Sequence, residues 1–345
     1  MPVALVILAA GQGTRMNSDL PKVLHRLAGA PLVVHAMRAG AAVEPEITVV
    51  VTGFGGEAVA RVVRDEDERA IVVTQSEQLG TGHAVAEALP ALSGFRGRVV
   101  ILFGDTPFVR PETIEAMAAD PADLVVLGFE ARDPMRYGRL VLRDGRLERI
   151  VEWKNATEDE RRITLCNSGV LCGEADLLAR LVARLRNDNA QGEYYLTDIV
   201  AAARAEGRDV AVATCPEAET LGINTRADLA AAEAVFQARA RAEAMENGVT
   251  LTDPASVWFA LDTVVGRDAV IGPSVIFGPG VTVESGAEIA GFCHLAGCHI
   301  SRGATVGPFA RLRPGAELAE DVHVGNFVEI KNAILDQGVK VGHLT

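Results

Sequence analysis

The run LAAGQGTRM at residues 8–16 contains residue types that bind phosphate. Gly11 and Gly13 let the backbone approach a ligand closely, and their amides can face an anion. Three basic residues lie in or after this run: Arg15, Lys22 and Arg26. A glycine loop with such neighbours suits the triphosphate of a nucleotide. Met16 breaks the pattern G-x-G-x-x-G and no Gly-Lys-Ser/Thr follows, so neither standard nucleotide fingerprint applies. Taken alone, the loop could also be an ordinary strand turn with solvated basic side chains.

A second candidate is the carboxylate of Asp105, which ends the apolar run VVILFGD. Mg²⁺ prefers one or two carboxylates together with phosphate oxygens, so an acid near the glycine loop suits a nucleotide-bound metal. An ordinary loop aspartate is the alternative for this motif alone.

Several apolar runs, rich in Val and Ile, separate segments of helical spacing. They cover residues 3–8, 47–52, 70–74, 99–103 and 124–129. Runs of this length without polar alternation are typical of parallel strands covered on both faces. The sequence therefore predicts an α/β fold, Rossmann-like, with a mostly parallel sheet and its ligands at the carboxyl ends of the strands. The glycine loop and Asp105 both follow such strands.

The chain changes character near residue 248. Asp228 precedes LAAAEAVFQARARAEAMEN and Gly248 follows it, which predicts a helix capped by Asp228 and stopped by Gly248. We expect three parts: a nucleotide-handling domain over 1–228, a linker helix over 229–248, and a second domain over 249–345.

The second part is an internal repeat of apolar residues at intervals of six, interrupted by two intervals of five. The series is Val265, Ile271, Phe277, Val283, Ile289, Leu295, Ile300, Val306, Leu312, Leu318, Val324, Ile330, Leu335 and Val341. The residue two places earlier is small or β-branched, as at Ala269, Val275 and Ala304. This pattern predicts a left-handed parallel β-helix of hexapeptide repeats.

Composition narrows the classes of partner. The 345 residues carry 33 basic and 46 acidic side chains, a net charge of −13, which disfavours a nucleic acid. The apolar N-terminal run is too short for a membrane span and lacks a basic n-region, so we expect a cytoplasmic protein without a membrane partner. Five cysteines without C-x-x-C spacing indicate reduced thiols.

Taken together, the motifs resemble a bacterial family, the bifunctional N-acetylglucosamine-1-phosphate uridyltransferases/glucosamine-1-phosphate acetyltransferases. The resemblance rests on LAAGQGTRM, DLPKVLH at 19–25, QSEQLGTGHA at 75–84, FGDTP at 103–107, YGR at 137–139, IVEWKNA at 150–156, CNSG at 166–169, EYYLTD at 193–198 and LGINTRADL at 221–229. It implies Mg²⁺-dependent transfer of UMP from UTP to N-acetylglucosamine-1-phosphate, which gives UDP-N-acetylglucosamine and pyrophosphate.

The resemblance also implies roles for individual residues. Phosphate binding and catalysis fall to Arg15 and Lys22, and Mg²⁺ binding to Asp105 and Asn224. The nucleotide site would be formed by Leu8, Ala9, Ala10, Gly11, Gln75, Gly80 and Thr81, of which the last three read the uracil and its ribose. Phe103 and Gly104 would also contact substrate, and the N-acetylglucosamine would be held by Gly138, Glu152 and Asn167. Phe103 stands where the family often has Tyr.

In the repeat, ARLRPGAEL, VGNFVEIK and VGHLT resemble the acetyltransferase half of the same family. Arg313 and Lys331 replace an expected glycine, three hexads apart, and so could stack on one face. The resemblance makes them ligands of glucosamine-1-phosphate, with His343 as the general base and acetyl-CoA as co-substrate. For isolated charges on a solenoid, a solvated edge is the alternative. Since the sequence stops at Thr345 in mid-repeat, we expect a truncated chain in which acetyltransferase activity is lost. The family implies a homotrimer.

Two other functions compete with this interpretation. One is a different sugar-1-phosphate nucleotidyltransferase that uses GTP or ATP. The other is a non-catalytic sensor of nucleotide sugars, which would have no use for a metal at the α-phosphate. His83, directly after the QLGTG run, either lies near the nucleotide or only starts a helix.

Overall fold

The computed structural model describes residues 1–189 and 191–345. The chain forms two compact units. The first contains Met1–His25 and Pro31–Asp228, and the second contains Arg26–Ala30 and Leu229–Thr345.

Up to residue 246 the chain contains both strands and helices. The strands are β1 (Val3–Ala9), β2 (Arg26–Leu27), β3 (Ala30–Pro31), β4 (Ile47–Thr52), β5 (Ile71–Thr74), β6 (Arg98–Phe103), β7 (Leu124–Glu130), β8 (Arg139–Arg143), β9 (Arg146–Val151), β10 (Leu165–Glu174) and β11 (Val210–Thr214). The helices are α1 (Leu32–Gly40), α2 (Gly56–Glu66), α3 (Thr81–Ala88), α4 (Pro111–Ala119), α5 (Glu158–Arg161), α6 (Ala175–Val182), α7 (Asp198–Ala205) and α8 (Arg226–Glu246).

The first unit is built on a mostly parallel sheet with the strand order β11-β7-β10-β6-β1-β4-β5. β1 lies at its centre, parallel to β4 and β6, and every residue of β1 is buried. β10 is antiparallel to both of its neighbours, β6 and β7, and the hairpin β8–β9 is attached beside it. The predicted Rossmann-like α/β fold is confirmed.

All five predicted apolar runs form strands, but one expectation about burial was wrong. β5 is the edge strand of the sheet, and its two end residues are exposed and its two central residues half-buried, so it is not covered on both faces. The prediction also missed β8 to β11. β8 and β9 carry four arginines over eleven residues, and β10 contains the polar run Asn167-Ser168-Gly169, so these strands lack the apolar continuity of a central parallel strand.

The predicted cap of the long helix was also wrong. α8 begins at Arg226 and not after Asp228. The hydroxyl of Thr225 accepts a hydrogen bond from the amide of Asp228 (3.1 Å), and the Asp228 carboxylate accepts one from the amide of Thr225 (2.9 Å). This reciprocal pair is a capping box, in which Asp228 occupies the first turn. The helix ends at Glu246, two residues before Gly248.

The second unit is a left-handed parallel β-helix, as predicted. Its two- and three-residue strands are β12 (Thr250–Leu251), β13 (Val264–Val265), β14 (Val270–Ile271), β15 (Ile276–Phe277), β16 (Thr282–Val283), β17 (Glu288–Ile289), β18 (His294–Leu295), β19 (Cys298–Ile300), β20 (Thr305–Val306), β21 (Arg311–Leu312), β22 (Ala316–Leu318), β23 (His323–Val324), β24 (Glu329–Ile330), β25 (Ala333–Leu335) and β26 (Lys340–Val341). From β13 onward, every strand ends on one residue of the predicted apolar series.

Three flat faces enclose the core of this β-helix, and each strand pairs with the strand one coil further on. Ile271, Ile289 and Val306 are aligned in consecutive coils and are buried. The series is buried from Ile271 to Ile330 and half-buried at Val265, Leu335 and Val341. The six-residue period therefore specifies the core directly, because one large side chain per strand points inward.

Over the described part of the chain, no helix is both long and apolar enough to cross a membrane. All five cysteines carry free thiols.

Candidate functional site

The glycine turn after β1 lies against the segment that carries Lys22. Gly13 has φ 64°, in the left-handed region, and a Cβ placed on it would lie only 2.5 Å from Lys22 Cβ. Glycine is therefore required at this position both for the backbone conformation and for the close approach. As a result, Lys22 is fixed beside the turn, and only 11% of its side chain is exposed.

Four of the predicted phosphate and metal residues form one cluster at the carboxyl edge of the sheet. The Lys22 ammonium makes an ion pair with Asp105, which follows β6, and donates a hydrogen bond to Asn224 Oδ1 (3.2 Å). Arg15 Nη2 donates to the same Asn224 oxygen (2.8 Å). Although more than two hundred residues separate Asn224 from Arg15 in the sequence, the fold brings the two side chains into contact.

The capping box of α8 positions Asn224. The backbone amide of Asn224 donates a hydrogen bond to the Asp228 carboxylate (3.0 Å), which also accepts one from the amide of Thr225. Arg226, the first residue of the helix, donates through Nε to the carbonyl of Met16 (3.2 Å) and through Nη1 to His25 Nδ1 (3.0 Å). The start of α8 therefore connects the turn that carries Asn224 to the two segments that carry Arg15 and Lys22.

The surroundings of His25 favour the neutral ring, which can serve as that acceptor. Burial lowers the pKa of His25, and the neighbouring Arg226 guanidinium lowers it further. A neutral imidazole offers one ring nitrogen as an acceptor, which is the role that Nδ1 has here.

Next to the cluster lies a cavity of about 580 Å³. Most of the predicted substrate residues line it: Leu8, Ala9, Ala10, Gly11, Arg15, Lys22, Gln75, Gly80, Thr81, Phe103, Asp105 and Glu152. This set combines the ends of β1 and β6, the N-terminus of α3 and the segment after β9. The lining includes two cations, Arg15 and Lys22, and three acidic residues, Asp105, Glu152 and Glu193.

Four predicted residues do not line this cavity but lie close to residues that do. Asn224 contacts Arg15 and Lys22, and Gly104 donates its amide to the carbonyl of Leu8 (3.0 Å). The amide of Asn167 donates to the carbonyl of Gly138 (2.9 Å). A Cβ added at Gly138 would lie 3.6 Å from both Asn167 Cβ and Glu152 Oε1, so these three residues form one group.

Arg139 holds the loop in which Gly138 lies. It is almost completely buried, and its guanidinium donates to the carbonyls of Pro134, Met135, Tyr137 and Arg161. It also lies 5.4 Å from the ring centre of Trp153, the residue after Glu152. A buried arginine that satisfies several carbonyls fixes the backbone around Gly138.

The pKa of the Glu152 carboxyl lies above the ordinary value for a glutamate. Burial raises its pKa, and the negative charges of Asp198 and Glu193 raise it further, while a hydrogen bond from the Thr197 hydroxyl (3.4 Å) opposes the shift. Such a carboxyl holds its proton to a higher pH than an exposed glutamate does.

Sequence reasoning missed several cavity residues: Val23, Gln78, Ala84, Glu193 and Tyr195. Gln78 donates through Nε2 to the carbonyl of Ala10 (2.8 Å), which ties the loop after β5 to the glycine turn. Its position inside QSEQLGTG was the available signal. EYYLTD entered the sequence analysis only as part of the family resemblance, and its residues Glu193 and Tyr195 line the cavity, while α7 begins at its last residue, Asp198.

The donor set fits a hard divalent cation. The Asp105 carboxylate and the amide oxygen of Asn224 both contact one positively charged atom, Lys22 Nζ, so the fold already directs two oxygens at a single cation. Among the described residues, no group of three or more His, Cys, Asp or Glu could hold a metal, so a cation here would need oxygens from a substrate.

The predicted residues of the β-helix are only partly brought together. Leu312 and Ile330 are in register on adjacent coils, so Arg313 and Lys331 follow the same face at the same corner. Arg313 donates to Glu329 (2.7 Å). His343 lies at the corner before this face, next to the contact between the Leu344 amide and the Asn326 carbonyl (3.3 Å).

Comparisons with known proteins agree with this architecture. Residues 5–168 match the family model described as the MobA-like NTP transferase domain. The solved structure of the inositol-1-phosphate CTP transferase from T. maritima superposes with a TM-score of 0.52 at 19% identity, over 65% of this chain and 90% of that one. The fold and the site together define a nucleotidyltransferase.

Full-length relatives identify the family. The bifunctional protein GlmU of Cereibacter sphaeroides (strain ATCC 17025 / ATH 2.4.3) is 70% identical over 99% of this chain and 76% of its own length. The bifunctional protein GlmU of Paracoccus denitrificans (strain Pd 1222) is 68% identical over 100% of this chain and 77% of its own length. The chain belongs to the bifunctional GlmU family.

Proposed function

We propose that the first unit transfers UMP from UTP to N-acetylglucosamine-1-phosphate, with Mg²⁺, and releases pyrophosphate and UDP-N-acetylglucosamine. The observation that carries this proposal is the cluster of Arg15, Lys22, Asp105 and Asn224 beside the glycine turn. Two cations, together with a carboxylate and an amide oxygen of the kind that bind Mg²⁺, suit the polyphosphate of UTP. Family membership supports the same activity.

The reaction needs no protein nucleophile. A phosphate oxygen of the sugar phosphate attacks the α-phosphorus in line, and the bond from that phosphorus to pyrophosphate breaks. The chain therefore contributes to the reaction by positioning the reacting phosphates and by supplying positive charge. When bound, Mg²⁺ would neutralise phosphate charge, held by Asp105 and Asn224. Arg15 and Lys22 balance the charge on the transferring group and on the leaving pyrophosphate.

We assign the two halves of the product to two groups of residues that line or adjoin the cavity. We propose that Gln75, Gly80 and Thr81 contact the uracil and ribose at one side, since they line the cavity near the N-terminus of α3. We assign Gly138, Glu152 and Asn167 to the N-acetylglucosamine, since they lie together near the start of β10.

The test is pyrophosphate release from UTP, GTP and ATP with N-acetylglucosamine-1-phosphate, with and without EDTA. We expect release with UTP that EDTA abolishes. A strong preference for GTP or ATP would favour a different nucleotidyltransferase, and binding of UDP-N-acetylglucosamine without any turnover would favour a sensor.

For the β-helix we propose that Arg313 and Lys331 bind the phosphate of glucosamine-1-phosphate, with His343 as the base toward acetyl-CoA. The shared corner of Arg313 and Lys331 supports the phosphate site. Calorimetric titration with glucosamine-1-phosphate tests it, and binding that survives replacement of both cations by Ala would reject it. The homotrimer and the cytoplasmic location stay predictions.

A further inference from the structure

We propose that His83, held by Glu87, acts together with the Gly80 carbonyl to orient the side-chain amide of Gln75, and that this orientation sets the preference for uracil over cytosine. This inference rests on the proposed function, because it concerns the base of the nucleotide that the first unit uses. His83 acts through Gln75, so it is a positioning residue for base selection.

The orientation of the Gln75 amide follows from its surroundings. Gln75 lies directly after β5, and only 5% of its surface is exposed. One terminal atom of its amide lies 3.1 Å from the carbonyl oxygen of Gly80 and 3.0 Å from His83 Nδ1. A carbonyl oxygen can only accept, so this terminal atom must be the nitrogen, Nε2. His83 Nδ1 must then accept the second hydrogen.

The tautomer of His83 is fixed from its other side. Neutral imidazole carries one hydrogen, and Nδ1 is the acceptor, so the hydrogen is on Nε2. Nε2 lies 3.2 Å from Glu87 Oε1, a carboxylate one helical turn further along α3, which can accept it. The ring also stacks on Tyr194, with ring centres 6.3 Å apart. Glu87, His83 and Gln75 therefore form a chain in which every donor faces an acceptor.

The consequence lies at the remaining atom of Gln75. Both amide hydrogens are engaged, so the side chain can offer a ligand only its oxygen, Oε1. Uracil presents a donor at N3, whereas cytosine presents an acceptor there. An amide that cannot rotate would bind uracil and oppose cytosine, and a site built for one hydrogen bond discriminates strongly against a base that lacks its partner.

Substitutions separate this orienting role from a role in packing. His83→Leu removes the acceptor for Gln75. Glu87→Lys places a donor against His83 Nε2, which favours the tautomer with the hydrogen on Nδ1 and drives the Gln75 amide to rotate. His83→Asn and Glu87→Gln are the matched controls, because Asn keeps an oxygen near the place of Nδ1 and Gln keeps an acceptor for the ring.

The readout is the ratio of kcat/KM for UTP to that for CTP. We expect His83→Leu and Glu87→Lys to lower this ratio about tenfold, the effect of one lost oriented hydrogen bond, and the two controls to keep it. Side-chain exposure of 38% at Glu87 makes the second variant compatible with folding, which circular dichroism would verify.

Two outcomes count against the proposals, and they are distinct. Wild-type protein without pyrophosphate release from UTP would overturn the proposed function and this inference with it. Wild-type protein selective for UTP, together with folded His83→Leu and Glu87→Lys variants that keep the same ratio, would overturn the orienting role alone.

Discussion

At the scale of single residues, Lys22 lies between the Asp105 carboxylate and the Asn224 amide oxygen, where a cation fits. The sequence allowed the chemistry of these residues to be predicted, because glycine, arginine, lysine and aspartate at strand ends indicate phosphate handling. It did not allow the prediction that Lys22 and Asp105 pair, since pairing depends on the distance between loops that are 83 residues apart.

Replacing Arg15 by Ala tests charge stabilisation in the transition state. We expect turnover to fall on the order of a hundredfold, roughly 3 kcal/mol in the barrier, with a much smaller change in UTP affinity. Steady-state kinetics and UTP titration measure the two effects. Arg69→Ala, at an arginine whose side chain is 87% exposed and lies outside the cavity, is the control. Equal loss of affinity with unchanged turnover would contradict the role.

Glu152 predicts a pH dependence. Burial, together with Asp198 and Glu193, raises its pKa, so as the pH falls its carboxylate is protonated earlier than an exposed glutamate would be. A protonated carboxyl accepts fewer hydrogen bonds from sugar hydroxyls, so KM for N-acetylglucosamine-1-phosphate should rise toward acid pH. In Glu152→Gln this component should be absent. Identical pH profiles for the two proteins would refute the assignment.

The same shift has a consequence for stability. A carboxyl whose folded pKa lies above its unfolded pKa binds its proton more tightly in the folded chain. Its stabilising contribution is present below the unfolded pKa and is lost as the pH rises through the folded value. Glu152→Gln should therefore raise the melting temperature at pH 8 relative to wild type and should have less effect near pH 4, as measured by thermal denaturation.

At the scale of elements, the start of α8 positions Asn224. The apolar runs predicted the strands β1, β4, β6 and β7 well, because a strand covered on both faces has apolar side chains at nearly every consecutive position. The cap of α8 was missed, because Thr225 and Asp228 both suit a helix start and their spacing decides which one is the cap. The site residues Gly138, Glu152 and Asn167, which lie on or next to β8 to β10, came from motif resemblance, since those strands are polar or interrupted.

Thr225→Ala should remove the hydroxyl partner of the capping box. We expect the free energy of unfolding to fall by about 1 kcal/mol. We also expect turnover to need a higher Mg²⁺ concentration, because the turn that carries Asn224 becomes less ordered. Thr225→Ser keeps the hydroxyl and is the control. Denaturant titration and Mg²⁺ titration of turnover measure the two effects, and a full effect in the Ser variant would exclude the cap as the cause.

At the scale of the whole molecule, two units with separate cores share one chain. The β-helix is the part that the sequence predicts best, since each coil repeats the same inward position and every repeat adds an independent observation. We propose that residues 1–228 carry uridylyl transfer, residues 229–248 link the domains, and residues 249–345 belong to the second activity.

Ile289→Ala tests this division. Ile289 is fully buried between Ile271 and Val306, so its truncation should cost about 2–5 kcal/mol. Unfolding of the β-helix can be followed by Trp258 fluorescence in a Trp153→Phe background, since the chain has two tryptophans. Pyrophosphate release at 25 °C should stay unchanged, and exposed Glu288→Ala is the control. A proportional loss of uridylyl transfer would reject the division.

The reversed strand β10 has a consequence for how such a site can diversify. In a purely parallel sheet, only segments that leave strands reach the ligand edge. Because β10 runs the other way between β6 and β7, the segment entering it, with Asn167, arrives at that same edge. On the proposed assignment, the sugar residue Asn167 and the phosphate residues come from stretches of polypeptide with opposite polarity, so a change of acceptor sugar would not require any change in the residues proposed to handle the nucleotide.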